Sequence, residues 1–121
     1  MPENESKLAI EERQVGDVVV LSLKGEITLD DGDLKFGRRI DDLLKKGQRK
    51  ILVDLAAVTY IDSAGVGMMA FEYKDVHAKG GALKLLGLTG RSHRVLALMK
   101  LMTVFEVFDD EAMAIRSFAR I

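Results

Sequence analysis

The sequence contains no cysteine, and its single proline is Pro2. Without cysteine the chain can form neither disulfides nor thiolate metal sites, and it has no cysteine nucleophile. Because the proline lies at the second position, no interior helix or strand is interrupted by a proline ring. Only two histidines, His77 and His93, are present, which leaves few ligands for a metal site. We therefore expect neither a metal nor another cofactor.

Excess charge and long apolar runs are also lacking. The chain has 18 Lys and Arg against 19 Asp and Glu, so the net charge of −1 gives no electrostatic basis for binding nucleic acid or anionic lipid. No segment approaches the roughly 20 consecutive apolar residues that a spanning helix needs. Residues 1–7 are polar and acidic, unlike a signal peptide. We expect a cytoplasmic protein without membrane insertion.

What is present suits one small domain. Apolar residues make up 48% of the 121 residues and charged residues 31%, enough for one core and a charged surface. We find no internal repeat, low-complexity tract or linker. The sequence therefore predicts a single domain over residues 1–121.

Strand and helix patterns alternate along the chain. β-branched runs of about seven residues predict strands, and apolar residues at a spacing of three to four predict helices. The predicted elements are strands 8–14 and 17–24, a helix opened by Asp30, Asp31 and Asp33 and ending near Gly47, strand 50–55, a helix from Ser63 to Gly80, strand 82–86, a helix capped by Thr89 or Ser92, strand 104–108, and a last helix from Asp109 or Asp110 through Ile121. This order predicts an α/β fold, with a mixed, mainly parallel sheet, an N-terminal hairpin and about four helices.

Helical spacing also predicts which side chains face the core. On the second helix the inner stripe comprises Val66, Met69, Ala70, Tyr73 and Val76, and on the third it comprises Val95, Leu98, Met99 and Met102. Met68 and Phe71 fall outside the first stripe. They are either an apolar patch that a partner covers or residues buried by a neighbouring helix, and spacing alone does not decide between the two. His77 is predicted to be packed or half-exposed. His93 lies in a small basic cluster with Arg91 and Arg94, read as a solvated face, or less readily as an anion or partner contact.

The junction between the third strand and the second helix is the strongest candidate site. In an α/β sheet, functional sites are built on loops that follow the carboxyl ends of strands. Ser63 would begin the helix, where its hydroxyl can cap backbone N–H groups and the helix dipole favours an anion. Gly65 and Gly67 would leave room for a partner's active site. The residues alone leave two readings open, an ordinary helix cap or a modification site.

Enzyme motifs are incomplete in this chain. Residues 65–70 fit G-x-G-x-x-[GA], but no acidic residue follows about 20 residues later, as a dinucleotide site requires. There is no G-K-[ST] phosphate loop and no G-x-S-x-G elbow around Ser63. Asp54 ends a strand as in a receiver domain, but the accompanying acidic pair and lysine are missing. Residues 30–33 resemble part of a calcium loop without its bidentate glutamate. We therefore expect a binding module that is not an enzyme.

Four short segments carry a resemblance to a known family. Residues 62–67, Asp-Ser-Ala-Gly-Val-Gly, resemble the D-S-[ST]-G-[LV]-G signature of bacterial STAS-domain anti-sigma-factor antagonists. Residues 25–27 resemble the family's G-E-[LI], residues 53–55 its strand before the switch loop, and residues 80–83 its G-G-x-L turn. The resemblance covers roughly residues 8–119.

The resemblance implies a phospho-switch that controls transcription. By position, Ser63 matches the serine that a partner phosphorylates. That partner is an anti-sigma factor with serine-kinase activity, and a PP2C-type phosphatase removes the phosphate. The partner-binding residues implied are Glu26, Thr28, Asp62, Ser63, Ala64, Gly65, Val66 and Gly67, to which the apolar pattern adds Met68 and Phe71. Ala64 replaces a frequent Ser or Thr and Thr28 a frequent Asp, which bears on the choice of partner. The alternative is a STAS subunit of a lipid-transport or sensory assembly, in which Ser63 is only a cap.

Overall fold

The computed structural model describes residues 6–120, with Arg120 described in its backbone only. Residues 1–5 lie outside the described residues. So does Ile121, the residue at which the last helix is predicted to end. The described elements are β1 (Leu8–Val15), β2 (Val18–Ile27), α1 (Gly32–Lys45), β3 (Lys50–Ile61), α2 (Ser63–Ala78), β4 (Ala82–Leu86), α3 (Gly90–Leu98), β5 (Val107–Phe108) and α4 (Glu111–Ser117).

The described strands form one mixed sheet in the order β1-β2-β3-β4-β5. β1 pairs with β2 antiparallel, and the turn between them places Gly16 at φ +61°, a conformation that glycine adopts without strain. β3, β4 and β5 then run parallel to β2, and each of these three strands is reached through a helix. The predicted α/β fold with an N-terminal hairpin and four helices is confirmed.

Apolar side chains cover both faces of the sheet unequally. One face packs against α1, α2 and α3 through a cluster that includes Phe36, Val53 and Met69. The opposite face packs against α4 and the turn that follows it, where Phe118 clusters with Val20 and Leu52. The alternation of Leu52 and Val53 between these clusters follows from the two-residue period of a strand. At roughly 25 cal/mol per Å² of buried apolar area, the larger cluster supplies most of the hydrophobic stabilisation.

The strands that lead to the candidate site are longer than predicted. β3 continues to Ile61 rather than ending at residue 55, and β2 continues to Ile27. Exposed Ala56 and Ala57 break the apolar pattern, but the parallel pairing with β2 resumes beyond a register shift and Val58 is buried. β3 therefore delivers the chain directly to α2, with Asp62 alone between them.

The inner face predicted for α3 is half right, because Val95 and Met102 are half-buried and pack on the core. Leu98 is 82% exposed and Met99 42%, whereas Leu96 is buried. α3 has nine residues, little more than two turns, so few core contacts fix its rotation. The chain after it also differs from the prediction, because β5 contains two residues rather than five and the buried Phe105 lies in a loop. Among the predicted caps, Thr89 opens α3 and Asp110 opens α4.

Candidate functional site

Asp62 joins the end of β2, the start of α1 and the start of α2. Its carboxylate oxygen Oδ1 accepts the N–H of Gly65 at 2.9 Å, which makes Asp62 the side-chain N-cap of α2. The other oxygen, Oδ2, accepts the N–H of Leu29 at 3.0 Å. Its own backbone N–H donates to the carbonyl oxygen of Ile27 at 3.2 Å. Three hydrogen bonds thus fix the two loops against each other.

Ser63 is the first residue of α2 and is exposed. The expectation that its hydroxyl caps the helix is wrong, because Asp62 performs that task one residue earlier. The hydroxyl is therefore available for chemistry without loss of the cap. The first turn of α2 contains no acidic side chain beyond the cap, and unpaired backbone N–H groups at a helix N-terminus favour a negative charge.

The two glycines after Ser63, Gly65 and Gly67, have different surroundings and different structural roles. A Cβ on Gly65 would lie 2.3 Å from the carbonyl oxygen of Ile27, so this glycine lets α2 approach the end of β2. Gly65 is therefore needed for packing within the domain, whereas the sequence predicts that it leaves room for a partner. A Cβ on Gly67 would meet nothing within 4 Å, and this residue is exposed. Gly67 alone matches the predicted open surface beside Ser63.

Met68 and Phe71, whose roles helical spacing does not decide, differ in their burial. Met68 is half-buried and packs on the core beside α1, where a Cβ on Gly37 would lie 2.8 Å from its sulfur. Phe71 is 61% exposed. Val66 is fully buried and Ala64 half-buried. On α2, the described apolar surface that a partner could cover is thus centred on Phe71.

The end of β2 brings two more predicted residues to the same edge of the sheet. Glu26 is half-exposed and pairs in register with Tyr60 of β3. Thr28 is half-exposed, and its carbonyl oxygen accepts the N–H groups of Asp31 at 3.3 Å and Asp33 at 3.1 Å. The carbonyl therefore shapes the turn into α1, and the threonine side chain is not needed for that bond.

Two exposed side chains near this edge, those of Leu29 and Tyr60, were not predicted from the sequence. Leu29 is 63% exposed beside Asp62, and Tyr60 is 44% exposed with the Arg91 guanidinium 5.9 Å from its ring centroid. In the sequence, the signal for an exposed Leu29 was its position as a lone leucine directly after Thr28. Arg91, read mainly as part of a solvated cluster, lies against an aromatic ring at the end of β3, in a cation–π arrangement.

The other residues weighed for chemistry have local roles. Asp54 is half-buried, and its Oδ1 accepts the N–H of Ala56 at 2.9 Å. His77, predicted to be packed or half-exposed, is exposed as a whole residue. Its Nε2 accepts the N–H of Leu83 at 3.3 Å and its ring lies 4.1 Å from that of Tyr73. Within residues 6–120, no helix has the length and apolar character to cross a membrane.

The chain is similar in sequence to proteins named as anti-sigma factor antagonists. A Thermotoga neapolitana protein named as an anti-sigma factor antagonist homolog is 33% identical over 95 residues, 78% of this chain and 84% of the relative. The anti-sigma F factor antagonist of Paenibacillus polymyxa is 26% identical over 109 residues, 89% of this chain and 92% of the relative.

Solved structures agree in fold. The anti-sigma factor antagonist SpoIIAA in its unphosphorylated form matches with a TM-score of 0.79, at 22% identity, over 93% of this chain and 98% of that one. The phosphorylated form of the Bacillus protein matches with a TM-score of 0.71 over 90% of this chain and 98% of that one. The STAS domain family itself matches residues 9–114. With its sheet order and its site at the start of α2, the chain therefore belongs to the STAS domain family.

Proposed function

We propose that this chain is an anti-sigma factor antagonist, a binding module without enzymatic activity, whose Ser63 is the switch. The unmodified chain binds an anti-sigma factor with serine-kinase activity, and phosphorylation of Ser63 ends that binding. A PP2C-type phosphatase restores the hydroxyl, and the cycle runs in the cytoplasm. The observation that carries the proposal is that Ser63 is exposed at the first position of α2, while Asp62 rather than Ser63 caps this helix.

The relatives support both parts of the proposal. Two of them carry names as anti-sigma factor antagonists, and each aligns with more than three quarters of this chain. SpoIIAA, which shares the fold, has been solved in both an unphosphorylated and a phosphorylated form. A phosphorylated STAS domain with this fold therefore exists, which is what a reversible switch requires.

The start of α2 can carry a phosphate without unfolding the domain. Phosphorylation adds about −2 charge and three acceptor oxygens. Because Ser63 is exposed, the phosphate stays hydrated, and the N-terminal N–H groups of the 16-residue helix favour its charge. Asp62 opposes it by like-charge repulsion, but both carboxylate oxygens of Asp62 already accept backbone N–H groups. We therefore expect the fold to tolerate the modification.

The same phosphate would disrupt a docked complex. Exposed Leu29 is bonded to Asp62, and exposed Phe71 lies two turns along α2 from Ser63, so a partner covering them also covers the hydroxyl. Burying an unpaired dianion costs several kcal/mol, whereas a hundredfold loss of affinity requires only about 2.7 kcal/mol. Phosphorylation therefore acts on the interface and leaves the fold intact.

The transfer step is a simple exchange at phosphorus. The Ser63 Oγ forms a bond to the γ-phosphorus of ATP, the bond from that phosphorus to ADP breaks, and the hydroxyl proton passes to a base of the kinase. In the phosphatase step, water attacks the phosphorus, the bond from phosphorus to the Ser63 Oγ breaks, the Oγ takes up a proton from water, and inorganic phosphate is released. The chain itself supplies only the acceptor oxygen and its position.

The experiment is a kinase assay with mass spectrometry. A candidate anti-sigma factor kinase and ATP are incubated with the wild-type chain, with Ser63→Ala and with Thr59→Ala, which removes another exposed hydroxyl four residues away. We expect one phosphate on Ser63 in the wild type and in Thr59→Ala, and none in Ser63→Ala. Modification that persists in Ser63→Ala would contradict the proposal. The absence of both binding and modification of Ser63 would instead favour the structural subunit of a transport or sensory assembly.

A further inference from the structure

Glu72 is a carboxylate enclosed between α1 and α2. Its residue is 1% exposed. Its Oε2 atom lies 3.3 Å from the position that a Cβ on Gly37 would take, so the carboxylate points at the backbone of α1. Its Oε1 atom is buried and has no hydrogen-bond partner in the described part of the chain. A buried, unpartnered carboxylate oxygen is costly and calls for a ligand.

Two further carboxylates meet Glu72 at this place. Asp41 projects from α1, and Asp75 follows one turn along α2. One oxygen from each of the three residues lies within 4.8 Å of the other two. Because Ca²⁺ binds oxygen at about 2.3–2.6 Å, two oxygens bound to one ion lie at most about 5 Å apart. The three carboxylates are therefore spaced to share a single hard cation.

The cluster lies beside an open cavity. The cavity has a volume of about 300 Å³ and is lined by Asp41, Leu44, Lys45, Arg49, Asp75 and Lys79. Lys79 pairs with Asp75 but keeps a side chain that is 48% exposed, so it can turn towards solvent when an ion binds. An exposed pair of this kind is worth about 0.5 kcal/mol, which an ion shared by three carboxylates readily exceeds.

We propose that Asp41, Glu72 and Asp75 bind a divalent cation of the hard, oxygen-preferring class, to which Ca²⁺, Mg²⁺ and Mn²⁺ belong. Water completes the coordination from the cavity side. The ion links α1 to α2 and supplies the partner that the Oε1 atom of Glu72 lacks. Nine residues separate Glu72 from Ser63, about 14 Å along the helix axis, so this site is separate from the phosphorylation site.

Burial, followed by the negative charge of Asp41 and hydrogen bonding with it, raises the pKa of Glu72 to about 8.

The test is thermal unfolding followed by circular dichroism at pH 8. The full chain is stripped with a chelator and then given CaCl₂, MgCl₂ or MnCl₂. At a concentration about ten times the dissociation constant, one of the three should raise the melting temperature by about 5 °C. Glu72→Gln keeps the shape of the protonated side chain and should remove the shift, as should Asp75→Asn.

Asp42→Asn is the matched control, because Asp42 is an exposed acid of α1 adjacent to the cluster. It should keep the full shift. The proposal is overturned if none of the three ions at millimolar concentration moves the wild-type melting temperature, or if the shift is the same in both cluster variants.

Discussion

Replacing Gly65 by alanine tests the backbone contact that holds the candidate site together. The added Cβ would lie 2.3 Å from the carbonyl oxygen of Ile27 and 2.9 Å from the Cγ1 atom of Ile61. The carbonyl cannot turn away freely, because it accepts the N–H of Asp62 and ends a paired strand. The start of α2 must therefore move by about 1 Å, an overpacking that costs about 3 kcal/mol.

Helix propensity offsets part of this cost. Alanine is favoured over glycine inside a helix by about 1 kcal/mol, so we expect Gly65→Ala to lower the free energy of unfolding by about 2 kcal/mol. Gly67→Ala is the matched control. It adds the same methyl group two residues later, where nothing lies within 4 Å, and should raise the free energy of unfolding by about 1 kcal/mol.

Urea denaturation followed by far-ultraviolet circular dichroism measures both changes, since the chain has no tryptophan for fluorescence. The two variants should differ by about 3 kcal/mol with opposite signs relative to the wild type. Equal stability of Gly65→Ala and Gly67→Ala would refute the close approach of α2 to the end of β2.

Three further variants test other contacts. Asp62→Ala removes a cap and a loop hydrogen bond and should lower the urea-derived stability by about 2 kcal/mol, and an unchanged midpoint would contradict the role of Asp62. Phe71→Ala should change stability by less than about 0.5 kcal/mol but weaken partner binding in calorimetry, and wild-type affinity would remove Phe71 from the interface. Glu72 has a folded pKa of about 8, above its ordinary 4.5, so its stabilising contribution is complete below pH 4.5 and is lost as pH rises through 8. In chelator-treated buffer the wild type should therefore lose up to about 1.4 kcal/mol per pH unit relative to Glu72→Gln over that range, and parallel pH profiles would contradict it.

The order of elements could be predicted because each strand and helix repeats its apolar period over several residues. Element ends were harder. Ala56 and Ala57 broke the pattern of β3, and only the pairing with β2 shows that the strand continues. Leu98 and Met99 were wrongly placed on the inner face of α3, because a helix of nine residues offers only two buried positions, Ser92 and Leu96, to fix its rotation.

The candidate site was predictable as a segment, but not in its detail. Asp62 and Ser63 are both good caps, and the choice between them depends on which residue has the extended backbone, a fact absent from the pattern. Met68 and Phe71 lie only about 60° apart around the helix, and packing of α1 at Gly37 is what half-buries one of them.

Glu72 was missed for a different reason. It lies three residues after Met69 and four before Val76, so it occupies the same buried stripe. A glutamate is seldom buried without a partner, and the stripe was therefore read without it. A charged residue in register with an apolar stripe was the signal that the sequence offered.

The central claim is that a phosphate on Ser63 releases a bound partner from a domain that stays folded. The most direct measurement is isothermal titration of the anti-sigma factor with the unmodified chain and with the chain phosphorylated on Ser63, each checked by circular dichroism. We predict at least a hundredfold weaker binding, about 2.7 kcal/mol, for the phosphorylated chain, with an unchanged folded spectrum. Equal affinity of the two forms would contradict the account.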